Sequence, residues 1–301
     1  MPPQLIKNLD SLNISLILIS CLIAHIVPIE LMLFSYAILG PAHYLTEISW
    51  LHDRQYFTGE KYDIMALFSI TLLILIFSDK TFLFIILAVA TAIIFSATRN
   101  SLKRAIFLPI LFVFLASLSL FVNLDPLWFT VPTLIHVLIF TSLFMLFGAL
   151  RNKSRLGLAS FFLLYTCAMT YFIFPPLLLI EPTQYGISNF IIFASFATSL
   201  PEFIKDDAHF LQAAGFFSFI YTYHYLNWFS KTRVISWHKI SKKRAFVIVA
   251  LYLIFISFYL YDYLLGFKVV LLLSMLHVIT ELPLNMVTIK NIIWHFKPSR
   301  S

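Results

Sequence analysis

Two pairs of residues at i, i+4 spacing stand out in this chain: His43 with Glu47, and His277 with Glu281. Each puts an imidazole and a carboxylate into a stretch that is otherwise apolar, as in "GPAHYLTEISWLHD" over residues 40–53. On a helix, residues four apart project from one face. That is how helical bundle enzymes present donors to a metal ion. The carboxylate can instead accept a hydrogen bond from the ring and orient it, leaving the other nitrogen for the ion. His224, in "YTYHYLNWF", offers a donor from a third segment, and His52, followed by Asp53, a fourth at the end of the first. Tyr223 is a candidate donor to bound oxygen or substrate. The expected ligands are therefore His43, His52, His224 and His277, with Glu47, Glu281 and Tyr223 as catalytic groups. Nitrogen and oxygen donors without thiolate suit iron first and zinc second.

The elements that must position these groups are membrane helices. The 301 residues are 60% hydrophobic and 17% aromatic, and only 12% are charged, against about 25% in soluble domains. A charged group at the bilayer centre costs about 2.5–3.5 kcal/mol on insertion scales, so intramembrane His and Glu mark work to be done. The pattern predicts an all-α polytopic bundle, one integral-membrane domain over residues 1–301. Ten spans are expected, at 12–27, 29–51, 63–78, 81–97, 104–122, 129–150, 156–179, 207–230, 244–264 and 266–289. Residues 183–200 are short and hydroxyl-rich, which suggests a re-entrant or interfacial piece.

Charge placement orients the bundle. Arg99, Lys103 and Arg104 fall in one loop, Arg151, Lys153 and Arg155 in another, and Lys231 to Arg244 form the most basic stretch. Lys290, Lys297 and Arg300 follow the last span. Alternate loops hold Asp79 with Lys80, Asp125, Glu181 to Asp207, and Asp262. The positive-inside rule then places both termini in the cytoplasm, with a bacterial inner membrane as the expected location. The net charge of +7 is explained by these loops, so a nucleic-acid partner is not expected. The N-terminus lacks a cleavable-signal pattern. With that orientation, His43, His224, His277, Glu47 and Glu281 share one layer of the inner leaflet at 1.5 Å of rise per residue.

Other polar groups have plainer readings. His25 and His136 read as interhelical hydrogen-bonding groups of the outer half, His238 and His295 as interfacial anchors beside Trp, and His209 as part of an outer loop. Cys21 and Cys167 read as small packing residues. Gly40–Pro41 and Pro283 are expected to kink their helices beside the site. No HExxH, G-x-S-x-G, P-loop, G-x-G-x-x-G or tandem HxxHH box is present, which removes the commonest metalloprotease, acyl-enzyme, nucleotide-binding and desaturase signatures.

Gly40, Pro41, His43 and Glu47 resemble a segment of the Brp/Blh family of membrane β-carotene 15,15′-dioxygenases, in which Pro-His-Gly is followed one turn later by an acid. Here Ala42 separates Pro41 from His43, Tyr44 stands in place of glycine, and Glu replaces Asp. The resemblance implies a polytopic bundle with iron held by histidines of several spans, His224 and His277 among them, and O₂ chemistry on a carotenoid, other polyene or lipid. Two other functions use the same residues: a zinc-dependent lipid hydrolase, in which the metal activates water, and a proton-coupled transporter with a His/Glu relay. The expected partners are membrane lipids and a hydrophobic substrate from the bilayer.

Overall fold

A computed structural model describes residues 2–54, 60, 63–76, 81–121, 134–197 and 207–296. Among these the chain is all helical, with no strand. The helices are α1 (Pro3–Ile26), α2 (Pro28–Phe34), α3 (Gly40–Arg54), α4 (Asp63–Ile76), α5 (Thr81–Ala97), α6 (Ser101–Phe121), α7 (Thr141–Asn152), α8 (Arg155–Ile173), α9 (Gln184–Ala197), α10 (Asp207–Ser230), α11 (Thr232–Ile235), α12 (Lys242–Tyr261) and α13 (Tyr263–Phe296). Two π-helical turns, Ser35–Leu39 and Ile135–Phe140, run directly into α3 and α7.

Six helical stretches are long and apolar enough to cross a membrane: Pro3–Ile26, Ser101–Leu118, Ile135–Asn152, Arg155–Ile173, Lys242–Tyr261 and Tyr263–His295. The other segments expected to cross are also helical. The expected 29–51 span is split among α2, a π turn and α3, α4 and α5 have 14 and 17 residues, and α10 carries more polar residues. α9 has 14 residues, about 21 Å of rise, which is short of a hydrocarbon core of about 30 Å. It packs against α2 and α13. Asp79, Lys80, Asp125, Lys297 and Arg300, used above to orient the loops, lie outside the described residues, as do 129–133 and 198–206.

Burial separates scaffold from periphery. None of the Ser101–Leu118 stretch is buried and 6% of Lys242–Tyr261 is, against 56% in α13. α6 and α12 thus present rows of large apolar side chains outward, such as Phe107, Phe114, Phe246 and Leu253, as lipid-facing helices do. α13 is the central strut, packed on α3, α4, α5, α7 and α12. On the other side α10 is held between α1, α2 and α8. Tyr36, Tyr44, Tyr171, Phe219, Tyr225 and Phe267 fill the space between these helices.

Local sequence explains the breaks. Pro41 has no N–H to give a carbonyl four residues back. The preceding π turn absorbs this by closing i to i+5 bonds, with Gly40 N–H donating to Ser35 O. Asp262 ends α12 and starts α13, its carboxylate accepting from Leu265 N–H at 2.7 Å. Pro283, expected to kink its helix, lies inside α13, which continues through it as one 34-residue element.

A buried four-histidine cluster as candidate metal centre

His43, His136, His224 and His277 meet at the junction of α3, the second π turn, α10 and α13, with one ligand atom of each within 4.8 Å of the others. All four are buried. His224 Nε2 lies 3.0 Å from His43 Nε2, and His277 Nε2 lies 2.8 Å from His136 Nε2. Three of the second ring nitrogens face oxygens. His277 Nδ1 donates to Ser274 O at 2.5 Å, and His224 Nδ1 is 2.7 Å from Thr141 Oγ1. His136 Nδ1 is 2.8 Å from Glu281 Oε2, an ion-pair contact too bent to count as a hydrogen bond. Glu47 Oε2 is 3.0 Å from His43 Nε2, and Asn285 Nδ2 donates to Glu281 Oε2 at 3.2 Å.

One of these contacts fixes a tautomer. A carbonyl only accepts, so His277 carries its proton on Nδ1. Its Nε2 is then a bare lone pair facing His136 Nε2 at 2.8 Å. Such an arrangement needs a proton or a cation between them. Three buried polar atoms of the residues at the cluster, His43 Nδ1, Glu47 Oε2 and His136 Nδ1, have no hydrogen-bond partner among the described residues. Two buried carboxyl groups with only imidazoles as ion-pair partners also fit the charge of a divalent cation. The donor set therefore fits a metal ion, with Thr141, Ser274 and Glu281 fixing ring orientation from outside, as ligand-supporting groups do.

The sequence expectations sort clearly. His43, His224 and His277 come together, and Glu47 and Glu281 stand beside them. Glu281 contacts His136, however, and not the His277 of its own i, i+4 pair. His136, read above as a packing histidine, belongs to the cluster. A π turn carries it there, and such turns are often found at functional sites. Its intramembrane position was the available signal. His52 is outside the cluster: its side chain is 56% exposed, 3.6 Å from Asp53 Oδ1. Nine residues from His43 is two and a half turns, which puts it on the opposite face of α3. Tyr223 donates to Met145 Sδ at 3.1 Å. The tyrosines beside the histidines are Tyr44, stacked on His277 with centroids 4.3 Å apart, and Tyr225, whose hydroxyl is 2.5 Å from that of Tyr44. His25 bonds to Cys21 O at 3.0 Å and packs on Tyr171. His209, His238 and His295 are exposed. Cys21 and Cys167 are free thiols away from the cluster.

A cavity of about 330 Å³ opens from one side of the cluster, touching His43, Glu47, His224 and Glu281 and reaching Lys231 and Asp10 at its other end. A much smaller space of about 10 Å³ lies on the opposite side, against Tyr44, Tyr225, His136 and His277. No protein-family model, curated protein or solved structure matches this chain.

Proposed function

We propose that this protein is an integral-membrane non-haem iron oxygenase that uses O₂ to oxidise a hydrophobic chain-like substrate taken from the bilayer. The observation that carries this reading is the meeting of four buried imidazoles, one ligand atom of each within 4.8 Å of the others, beside two buried carboxyls. The similarity of Gly40, Pro41, His43 and Glu47 to the Brp/Blh segment agrees with it.

His43, His136, His224 and His277 would hold the ion. Iron accepts further ligands and uses carboxylate and imidazole surroundings for oxygen chemistry. When bound, iron supplies the one-electron steps that let O₂ react with a closed-shell substrate.

The chain's own residues do the rest. Glu281 and Thr141 hold the rings of His136 and His224, and Glu47 stands where the cavity meets the cluster, able to take or return a proton. Phe144, Phe147, Trp228 and Leu284 line the cavity and keep water from the oxidation. Cleavage of one C=C by O₂ to two carbonyls balances without an outside reductant, in keeping with a chain that lacks a nucleotide-binding motif. Both basic loops bordering the cavity mouth belong to the face assigned to the cytoplasm.

The deciding experiment is elemental analysis of protein purified in detergent without chelator, beside a His43→Ala, His277→Ala variant. About one iron per chain, lost in the variant, supports the oxygenase. Zinc in its place points to the lipid hydrolase. No metal in either sample, with the fold intact, overturns both and leaves the proton relay.

A further inference from the structure

The cavity has two chemically distinct ends. His224 of α10 and Lys231, which directly follows that helix, both belong to its wall, and a rise of seven positions from one to the other is about 10 Å. Between the ends the wall is largely apolar, with Leu9, Phe144, Trp50 and Trp228 among its side chains. A lysine that only anchors a helix extends toward water. Lys231 instead lines the cavity. Among the described residues no carboxylate lies within ion-pair distance of it. Asp10 reaches it only through space and is itself bound by Ser154 Oγ at the start of α8. Burial lowers the Lys231 ammonium to about 8, against the opposing pull of Asp10.

The surroundings of this end are basic. Lys7 of α1 and Arg155 of α8 border the shallow depression beside the mouth, and Lys153 and Arg233 lie on the adjoining segments. Asp10 is the acid among them. Among the described residues, no histidine or cysteine lines this end of the cavity. A half-buried ammonium without a counter-charge is costly, and an occupant that brings a negative charge removes that cost.

We propose that the cavity binds a single-chain anionic amphiphile, its carboxylate or phosphate head paired with Lys231 and its chain laid along α10 toward the histidine cluster. This deepens the oxygenase reading and rests on it for the reaction at the far end, though not for binding. Lys231 then acts as a ruler: it fixes which part of the chain reaches His224, about 10 Å from the head.

The test uses metal-stripped full-length protein in neutral detergent, so that it does not depend on which metal is bound. The probes are the fluorescent polyene fatty acid cis-parinaric acid and its methyl ester, read by energy transfer from Trp50 and Trp228 in the cavity wall. The acid should bind wild type and Lys231→Arg, and about tenfold to a hundredfold more weakly to Lys231→Met, the range of a charge-assisted hydrogen bond. The ester should bind all three alike, which also shows that the variant cavity is intact. Acid binding should weaken as pH rises through about 8, because the ammonium is lost, and ester binding should not. Lysophosphatidate displacing the acid at lower concentration than a fatty acid would assign the head as a phosphate, and the reverse as a carboxylate. Equal binding of acid and ester by wild type and Lys231→Met would overturn the proposal.

Discussion

His136 and His277 face each other through their Nε2 atoms at 2.8 Å, while their Nδ1 atoms face Glu281 and the Ser274 carbonyl. Neither histidine is near the other in sequence, and each has its orientation imposed by an oxygen. With His43 and His224, the pair forms a buried group of four imidazoles that could hold a metal ion.

His136→Ala should therefore remove bound metal as completely as His277→Ala, and His52→Ala should leave it in place. Metal content per chain, measured with the fold checked by circular dichroism, distinguishes the two. Retention of full metal by His136→Ala would show that the ion, if one binds, does not use this pair.

How much of this was legible depends on where each histidine's partner lies. His43 and Glu47 share one helical face, so spacing alone found them. Glu281 was found for the same reason, but spacing assigned it to His277, whereas the fold turns it to His136. His136 has no acid one turn away, and nothing local distinguishes it from His25, whose ring bonds within its own helix to Cys21 O and packs on Tyr171. Its role arises from α13 bringing Glu281 across the bundle and from a π turn that no residue pattern announces. His52 shows the opposite failure, since closeness in sequence to His43 conceals a half-turn offset. The membrane character was plain from composition. The number of crossings was less so, because α4, α5 and α9 are apolar but short.

Glu281→Gln keeps a hydrogen-bond acceptor beside His136 Nδ1 but loses the charge, and Glu281→Ala loses both. Changes in groups that orient metal ligands cost roughly 10- to 100-fold in metal affinity. The order expected is wild type, then Glu281→Gln, then Glu281→Ala, measured by competition with a chelator of known affinity. Equal affinity in all three would mean that Glu281 does not hold the His136 ring.

Gly40→Ala tests the packing behind the site. A Cβ there would sit 3.2 Å from Tyr44 Cε2 and hydroxyl and 3.3 Å from the Tyr225 hydroxyl. Both rings are fully buried and joined to each other, so neither can yield cheaply. Alanine gains about 1 kcal/mol over glycine in a helix, but overpacking costs about 1–3 kcal/mol. A net loss of stability is expected, with weaker metal binding because Tyr44 stacks on His277. A raised melting temperature would contradict this.

Away from the cluster, Asp63 at the start of α4 accepts two bonds from Arg104 of α6, Nη1 to Oδ1 and Nη2 to Oδ2, each 2.9 Å. The side chains are 5% and 14% exposed. Arg104 also donates to Thr98 O and Phe95 O and lies over the Phe95 ring at 4.4 Å. Those contacts stay when Asp63 is removed, so the guanidinium would be held in place with its charge uncompensated. Removing one partner of a buried pair costs about 3–5 kcal/mol, whereas replacing both with apolar residues can cost little. Asp63→Ala should therefore destabilise the α4–α6 region more than the Asp63→Leu, Arg104→Met double variant does. Because these helices lie outside the histidine cluster, both variants should keep their metal. Thermal unfolding in detergent, followed together with metal content, reads both quantities. A double variant less stable than Asp63→Ala would show that the pair contributes more than it costs to bury.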